Sequence, residues 1–242
     1  MKLSFSKIKL YLECPLKYYF LYELKLKEKP KAYKSFGKSI HLTLSKFYSL
    51  PKYPSFDKLL EIYKDNWIKE GYEDSCKEEK DFQRGKELLK KYYYRNIFNY
   101  EKAFQVEKGV KFNIDEFEIL GFIDRIDKIN EDFELIEYKT GQYDLLYNSI
   151  DLIDEYEVLQ MSIYYLAFEN EFKKPPKYLS IYYLSLDNDS KKRVLLKNEH
   201  IQYSLEKILF VGKNIKNKNF FKKENNYCKF CDFRKECQEW KM

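Results

Sequence analysis

An α/β fold is what this chain predicts, on three observations. Apolar residues recur at helical spacing through roughly the first hundred positions, the pattern switches to strand-like alternation from Phe104 to Tyr138, and helix returns before two more short strands. With 242 residues the chain fits one large domain or two small ones, able to bury about 70–75% of its unfolded surface, and it reads as a single domain, 1–242. Within it the helical part covers about 1–102, the sheet core about 103–200, and a C-terminal helix with a cysteine-bearing segment about 201–242.

Ser4 or Ser6 can cap a helix through about Leu24, with Ile8, Leu12, Leu16, Tyr19 and Phe20 at helical spacing. Pro15 falls in its middle and should kink or interrupt it at Cys14. A second helix starts near Ser35 and carries His41. Two amphipathic helices follow, Ser55 to about Lys69 and Glu78 to about Tyr100. Phe104–Phe112, Glu116–Ile129 and Phe133–Tyr138 read as three strands in a meander. Asp151–Phe172 is helical. After Pro175-Pro176 come strands Tyr178–Leu186 and Arg193–Leu196, joined by the turn-forming Asp187-Asn188-Asp189. A helix from about Asn198 to Asn214 leads into a Lys/Asn-rich stretch, 213–226, the only linker-like segment; no internal repeat is present.

Composition narrows the class. The chain holds 24 Tyr and 19 Phe against 7 Gly and 2 Trp, and a net charge of +6 permits an anionic partner without demanding one. Lys2, Lys7, Lys9 and Glu13 interrupt any signal-peptide-like apolar stretch, and no span approaches transmembrane length, so the expectation is a cytoplasmic protein without a membrane partner. Five cysteines, unevenly placed, fit a metal or cluster site in a reducing compartment better than a disulfide framework. There is no G-x-x-x-x-G-K-[ST] phosphate loop, so ATP-driven unwinding would need a partner.

The chemistry centres on Leu120-Gly-Phe-Ile-Asp-Arg-Ile-Asp-Lys-Ile and Leu135-Ile-Glu-Tyr-Lys-Thr-Gly. Glu137 and Lys139, two residues apart on a strand, leave one face while Ile136 and Tyr138 leave the other. In a hairpin, Asp124 approaches Glu137, and two carboxylates beside an ammonium suit a divalent cation and an attacking water. Asp127 falls on the opposite face from Asp124, where it should pair with a base or meet solvent. Glu107, on the preceding strand, can approach the same cleft, but its flanks fix no position. Taken alone, a Glu-x-Lys on a strand is most often a solvated face, His41 beside Leu42 and Leu44 a half-buried structural histidine, and Tyr164 core packing.

Order and company change those odds. Gly121-Phe-Ile-Asp124-Arg-Ile-Asp127, Glu137-Tyr-Lys139-Thr-Gly141 and Gln160-Met-Ser-Ile-Tyr164 follow one another, preceded by Ser6-Lys-Ile-Lys-Leu-Tyr-Leu-Glu-Cys14-Pro15 and Gly37-Lys-Ser-Ile-His41. This set resembles the PD-(D/E)XK nuclease superfamily, in particular its RecB-like branch, over most of the chain. The resemblance implies a restriction-endonuclease-like core, a central mixed sheet flanked by helices and closed by the cysteine segment. It implies Mg²⁺ or Mn²⁺ on His41, Asp124, Glu137 and the Tyr138 carbonyl, with Lys139 orienting or deprotonating water and Gln160 and Tyr164 one turn apart facing the cleft. Glu137 stands where that family most often has Asp, a variant its name admits.

Cys228-Lys-Phe-Cys231-Asp-Phe-Arg-Lys-Glu-Cys237 leaves one position of a tetrahedral or cubane site to fill, and Cys14 is the obvious fourth. Zn²⁺ on four cysteines is the generic alternative. One cysteine near the start and three near the end resemble the iron-sulfur staple of AddB-like and CRISPR-associated exonucleases, which implies a [4Fe-4S] cluster tying the chain ends together. Cys76, among acidic residues, reads as a bystander. The expected activity is metal-dependent DNA hydrolysis, as a single-strand exonuclease in recombination, repair or CRISPR adaptation, with DNA and a helicase or CRISPR integration protein as partners. The alternatives are a noncatalytic DNA-binding or scaffold subunit of a helicase-nuclease complex and a zinc-stabilised RNA-binding module. Lys213–Lys223 with Phe220 and Phe221 could contact a single strand, against the plainer reading of a solvated surface.

Overall fold

Ser4 ends one element and starts another: it closes β1 (Lys2–Ser4) and caps α1 (Phe5–Glu13), its side chain accepting from the Lys7 N–H. The structure is a computed structural model that describes residues 1–141, 154–187 and 190–240. As Pro15 requires, α1 stops at Cys14, whose backbone is extended, and α2 (Pro15–Tyr18) restarts beyond it before one wide π-type turn, Tyr19–Glu23. The kink places the Cys14 side chain at a helix break.

Helices α3 (Ala32–Ser49), α4 (Phe56–Asp65) and α5 (Ser75–Asn96) follow, α3 starting three residues earlier than expected. Ser55 and Asp74 cap the latter two through the N–H groups of Lys58 and Lys77. The meander is β2 (Gln105–Ile114), β3 (Phe117–Ile129) and β4 (Asp132–Lys139). Next comes α6 (Glu155–Phe172), opened by a reciprocal cap in which Asp154 accepts from Tyr156 N–H and Glu157 accepts from Asp154 N–H. Its expected start at Asp151 lies outside the described residues, as do Asn188 and Asp189 of the expected turn.

Strand β5 is Tyr178–Tyr183 and β6 is Lys191–Arg193, not Arg193–Leu196. Val194 still donates to the Leu179 carbonyl, but Leu195 is 81% exposed, so the apolar run there marks no further pairing. Two more helices close the chain, α7 (Asn198–Lys216) and the short α8 (Arg234–Glu239). The sequence had indicated neither α8 nor β1; three residues are too few to display an alternation.

The sheet is mixed. β2 lines one edge of β3 antiparallel, while the other edge takes β1 in parallel (Lys2↔Glu118 to Ser4↔Leu120) and β4 antiparallel (Arg125↔Ile136 to Ile129↔Asp132). Parallel pairing of β4 with β5 demands a long crossover, which contains α6, and β6 returns antiparallel. Helices α1, α6 and α7 cover one face and α3, α4 and α5 the other. The second core explains the tyrosine content. Tyr92 hydroxyl bonds those of Tyr48 and Tyr138, both at 2.9 Å, and Arg125 lies on the Tyr48 ring at 3.6 Å, so these large rings fill volume while their polar tips pair with one another. Both cores leave the middle of β3 and the C-terminal end of β4 between them.

Candidate active site

Register builds the site. Arg125 opposes Val106 on β2 and Ile136 on β4, so Asp124, one residue earlier on β3, stands between Glu107 and Glu137 in a row of three carboxylates across three strands. Glu107 adopts φ +47°, the left-handed region unfavourable to most side chains, and no ladder pairing joins it to Asp124. The alternation of β2 slips there: Val106 packs into the core under α3 and α5, whereas Val110 packs into the opposite core.

Like charges directly opposed repel, so this row needs compensation. His41 on α3 supplies part, its Nδ1 3.1 Å from Asp124 Oδ1, and the Tyr138 N–H donates to Asp124 Oδ2 at 2.8 Å. Burial and the Glu137 charge push the Asp124 carboxyl up to about 6 against the pull of His41 and that N–H. Burial disfavours the His41 cation, but Asp124, Glu137 and Glu107 outweigh it and raise the imidazole to about 9. Burial and Asp124 also raise Glu107. Donor atoms of His41, Glu107 and Asp124 all lie within 4.8 Å of one another. Two hard carboxylates and an imidazole form a donor set that suits Mg²⁺ or Mn²⁺.

Glu137 faces the same cleft but is held from its other side. Its Oε1 accepts from Lys139 Nζ at 3.0 Å and Gln160 Nε2 at 2.8 Å, its Oε2 from the Tyr164 hydroxyl at 3.1 Å. Lys139 Nζ also donates to Gln160 Oε1 at 2.7 Å, and Gln160 Nε2 to the Tyr164 oxygen at 3.0 Å. Burial, then the charges of Glu137 and Asp124, raise Tyr164 well above the usual phenol range, so it remains a neutral donor. Residues 160 and 164 share a helix face, as i,i+4 spacing requires. One cleft thus holds the expected metal and catalytic residues, His41 and Asp124 on one side, Glu137, Lys139, Gln160 and Tyr164 on the other, with Tyr138 between, but the donor atoms that converge within 4.8 Å are those of His41, Glu107 and Asp124, without Glu137. The structure adds Glu107, which sequence reasoning left unplaced. Asp127 points away and grips Arg125 through two bonds, 2.6 and 2.5 Å.

A family model described as the PD-(D/E)XK nuclease superfamily matches residues 2–238. The chain belongs to that superfamily. Among solved structures, a protein from Eubacterium rectale that carries the provisional name exonuclease shares 14% identity, with 100% of this chain and 88% of that one covered at a TM-score of 0.58, a likeness of fold. A structure of SSO0001 matches at a TM-score of 0.44 and 16% identity, over 98% of this chain and 85% of that one. No curated protein matches. Among the described residues no helix is long and apolar enough to cross a membrane.

Away from the cleft, four cysteines meet. Cys14 at the α1–α2 break, Cys228, Cys231 and Cys237 line one cavity of about 380 Å³ together with Lys17, Lys222 and Arg234. All are free thiols. Burial raises the Cys237 thiol, Lys222 opposes that, and the other three sulfurs add to it, so all four share one electrostatic neighbourhood. The chain ends are stitched beside it: Leu16 N–H to Phe221 O at 3.1 Å, Asn225 Nδ2 to Glu13 O at 3.1 Å, and Lys31 Nζ to Asp232 Oδ1 at 2.6 Å. Four converging thiols fit a soft metal site. Cys76 lies exposed on α5, apart from this group.

Proposed function

We propose that the protein is a divalent-metal-dependent DNA nuclease of the RecB-like branch that hydrolyses phosphodiester bonds from a single-stranded end. The observation that carries this is the convergence of His41, Glu107 and Asp124 donors beside the Glu137–Lys139–Gln160 chain, within a superfamily match spanning nearly the whole sequence. His41, Asp124, Glu107, Glu137 and the Tyr138 carbonyl are the groups that would hold Mg²⁺ or Mn²⁺. A cation bound there supplies positive charge to the nonbridging and leaving oxygens and makes water more acidic. Lys139 orients the attacking water through its ammonium N–H groups and places positive charge beside the hydroxide that forms. Gln160 and Tyr164 hold Glu137 and Lys139 in register, leaving neither side chain free to turn away.

For the cysteine cavity we infer a [4Fe-4S] cluster with a structural role, joining two chain ends whose hydrogen bonds already bring the four sulfurs close. A brown protein with visible absorption supports the cluster, and a colourless one that retains zinc excludes it. DNA is the partner the site requires. A helicase or CRISPR integration protein would supply unwound ends in the cytoplasm, for recombination, repair or CRISPR adaptation.

The test is digestion of end-labelled linear and circular single strands with Mg²⁺ or Mn²⁺. Shortening of the linear strand with the circle left intact supports an exonuclease. Strand binding without cleavage under both metals would make the protein a noncatalytic DNA-binding subunit instead.

A further inference from the structure

Between Lys25 and Lys38 the sequence carries six lysines and one acid, Glu28. This is the approach to His41, because α3 begins at Ala32. The segment from Lys25 to Lys31 has no regular structure, yet its exposure alternates: Lys25, Lys27 and Lys29 face solvent, while Leu26 and Glu28 turn inward. Such alternation sets Lys25, Lys27 and Lys29 on one solvent-facing side of the segment, Lys25 at a left-handed turn (φ +56°) that opens it and the exposed Pro30 closing it.

The inward side is firmly held. Leu26 packs with Leu16, Phe20 and Phe233, and its N–H donates to the Phe20 carbonyl at 2.9 Å. Glu28 is clamped between Lys17 at 2.7 Å and Lys34 at 2.6 Å. Asp232 takes the Lys29 N–H at 3.2 Å and the Lys31 ammonium at 2.6 Å. Glu28 and Asp232 are thus committed to Lys17, Lys31 and Lys34. Among the described residues, the ammonium groups of Lys25, Lys27, Lys29 and Lys38 have no carboxylate partner.

The first turns of α3 carry the row to the cleft. Tyr33, Gly37 and His41 are successive i,i+4 positions, so each sits about 40° round the helix from the last and Tyr33 lies ~12 Å along the axis from His41. Gly37 marks where this face meets the site: a Cβ there would stand 3.1 Å from Thr140 Oγ1, next after Lys139. Tyr33, two turns earlier, is 68% exposed. An aromatic ring left in water on the approach to His41, with the unpaired Lys29 four residues before it and Lys38 five after, has the chemistry of a base-stacking platform beside phosphate contacts.

We propose that Lys25, Lys27, Lys29 and Lys38, with Tyr33, form a preformed rail that binds the backbone and one base of a single DNA strand and feeds it to the site at His41. This rests on the nuclease reading and adds where the strand lies. The loop needs no ordering on binding, because its inward residues are already fixed, and that lowers the entropic cost of gripping a flexible strand.

Binding of a labelled single-stranded oligonucleotide is measured by fluorescence anisotropy with Ca²⁺ in place of Mg²⁺ or Mn²⁺, over a series of salt concentrations. The triple substitution K25S/K27S/K29S should lower the slope of log K against log salt by about 2, at ~0.7 per phosphate released, and K25R/K27R/K29R should restore it. Tyr33→Ala should weaken single-strand binding about 5- to 100-fold, with Tyr33→Phe close to wild type. Equal affinity and slope in wild type and the serine triple would overturn the rail while leaving the nuclease reading intact. Duplex bound as tightly as single strand, with the same loss in Tyr33→Ala, would overturn the base-stacking role. Lysine-dependent binding with no cleavage under Mg²⁺ or Mn²⁺ would instead sink the nuclease reading and leave the rail standing.

Discussion

Tyr164→Phe separates packing from chemistry at the heart of the site. The ring fills the space above Gly121, where a Cβ would come within 3.2 Å of Tyr164 Cε1, and phenylalanine keeps that contact. Only the hydroxyl is lost. It donates to Glu137 Oε2 at 3.1 Å and accepts from Gln160 Nε2 at 3.0 Å, both within a buried cluster. A hydrogen bond to a buried charged group contributes about 1.5–3 kcal/mol, so the variant should be less stable by ~2 kcal/mol, a fall in Tm of roughly 4–8 °C for a chain of this size. Glu137 then keeps Lys139 and Gln160 on Oε1 but can rotate its Oε2 edge. If that edge takes part in holding the metal, kcat/KM should drop about 10- to 100-fold, each tenfold being ~1.4 kcal/mol of transition-state stabilisation. Because the Tyr164 phenol is raised well above its ordinary range, the wild-type hydroxyl stays protonated at any working pH, so the loss should be the same from pH 6 to 9. Calorimetry and a DNA digestion time course decide it. Unchanged stability and rate would show that the hydroxyl does nothing, and lowered stability at full rate would confine Tyr164 to structure.

Three further outcomes follow from the same contacts. Arg125→Leu should cost about 3–5 kcal/mol in urea unfolding, because it strands the Asp127 carboxylate that Arg125 grips at 2.6 and 2.5 Å; the double variant R125L/D127L should recover much of that. Asp132, held between Lys174 at 2.9 Å and Lys177 at 2.8 Å, has its carboxyl lowered to about 2. A depressed folded-state value gives a contribution that is full above the ordinary carboxylate range near ~4 and is lost as pH falls towards 2, so Asp132→Asn should lower stability at pH 7, approach wild type near pH 2, and flatten the profile between pH 5 and 2. Cys14→Ser should abolish binding of the group in the cysteine cavity and loosen the tail, read as loss of visible absorption and faster proteolysis within residues 217–227.

The hairpin that carries Asp124, Glu137 and Lys139 was legible because its information is local: alternation fixes which side chains share a face, and a short turn brings the strands together. His41 and Gln160 were legible only through motif order, since neither spacing nor polarity distinguishes them from structural residues. Glu107 escaped because its left-handed backbone breaks the alternation on which a strand is read, as the opposite burial of Val106 and Val110 shows. The tail lysines, considered as a strand contact, are largely committed elsewhere. Lys216 pairs with Glu116, Lys222 with Glu224, Lys223 donates to the Leu12 carbonyl, and Phe220 stacks among Tyr11, Tyr18 and Tyr19. The Lys25–Lys38 row was hidden by a lysine-rich composition, and only the ion pairs of the folded chain separate its committed charges, Lys31 and Lys34, from its free ones.

The central claim is that the Asp124–Glu137–Lys139 cleft cuts DNA with a divalent metal, and one comparison tests it most directly. Wild type, Asp124→Ala and Lys139→Ala are given a labelled DNA strand with Mg²⁺, with Mn²⁺ and with chelator. The account predicts cleavage by wild type with metal only and a loss of at least about 100-fold in both variants. Equal cleavage by all three proteins would contradict it.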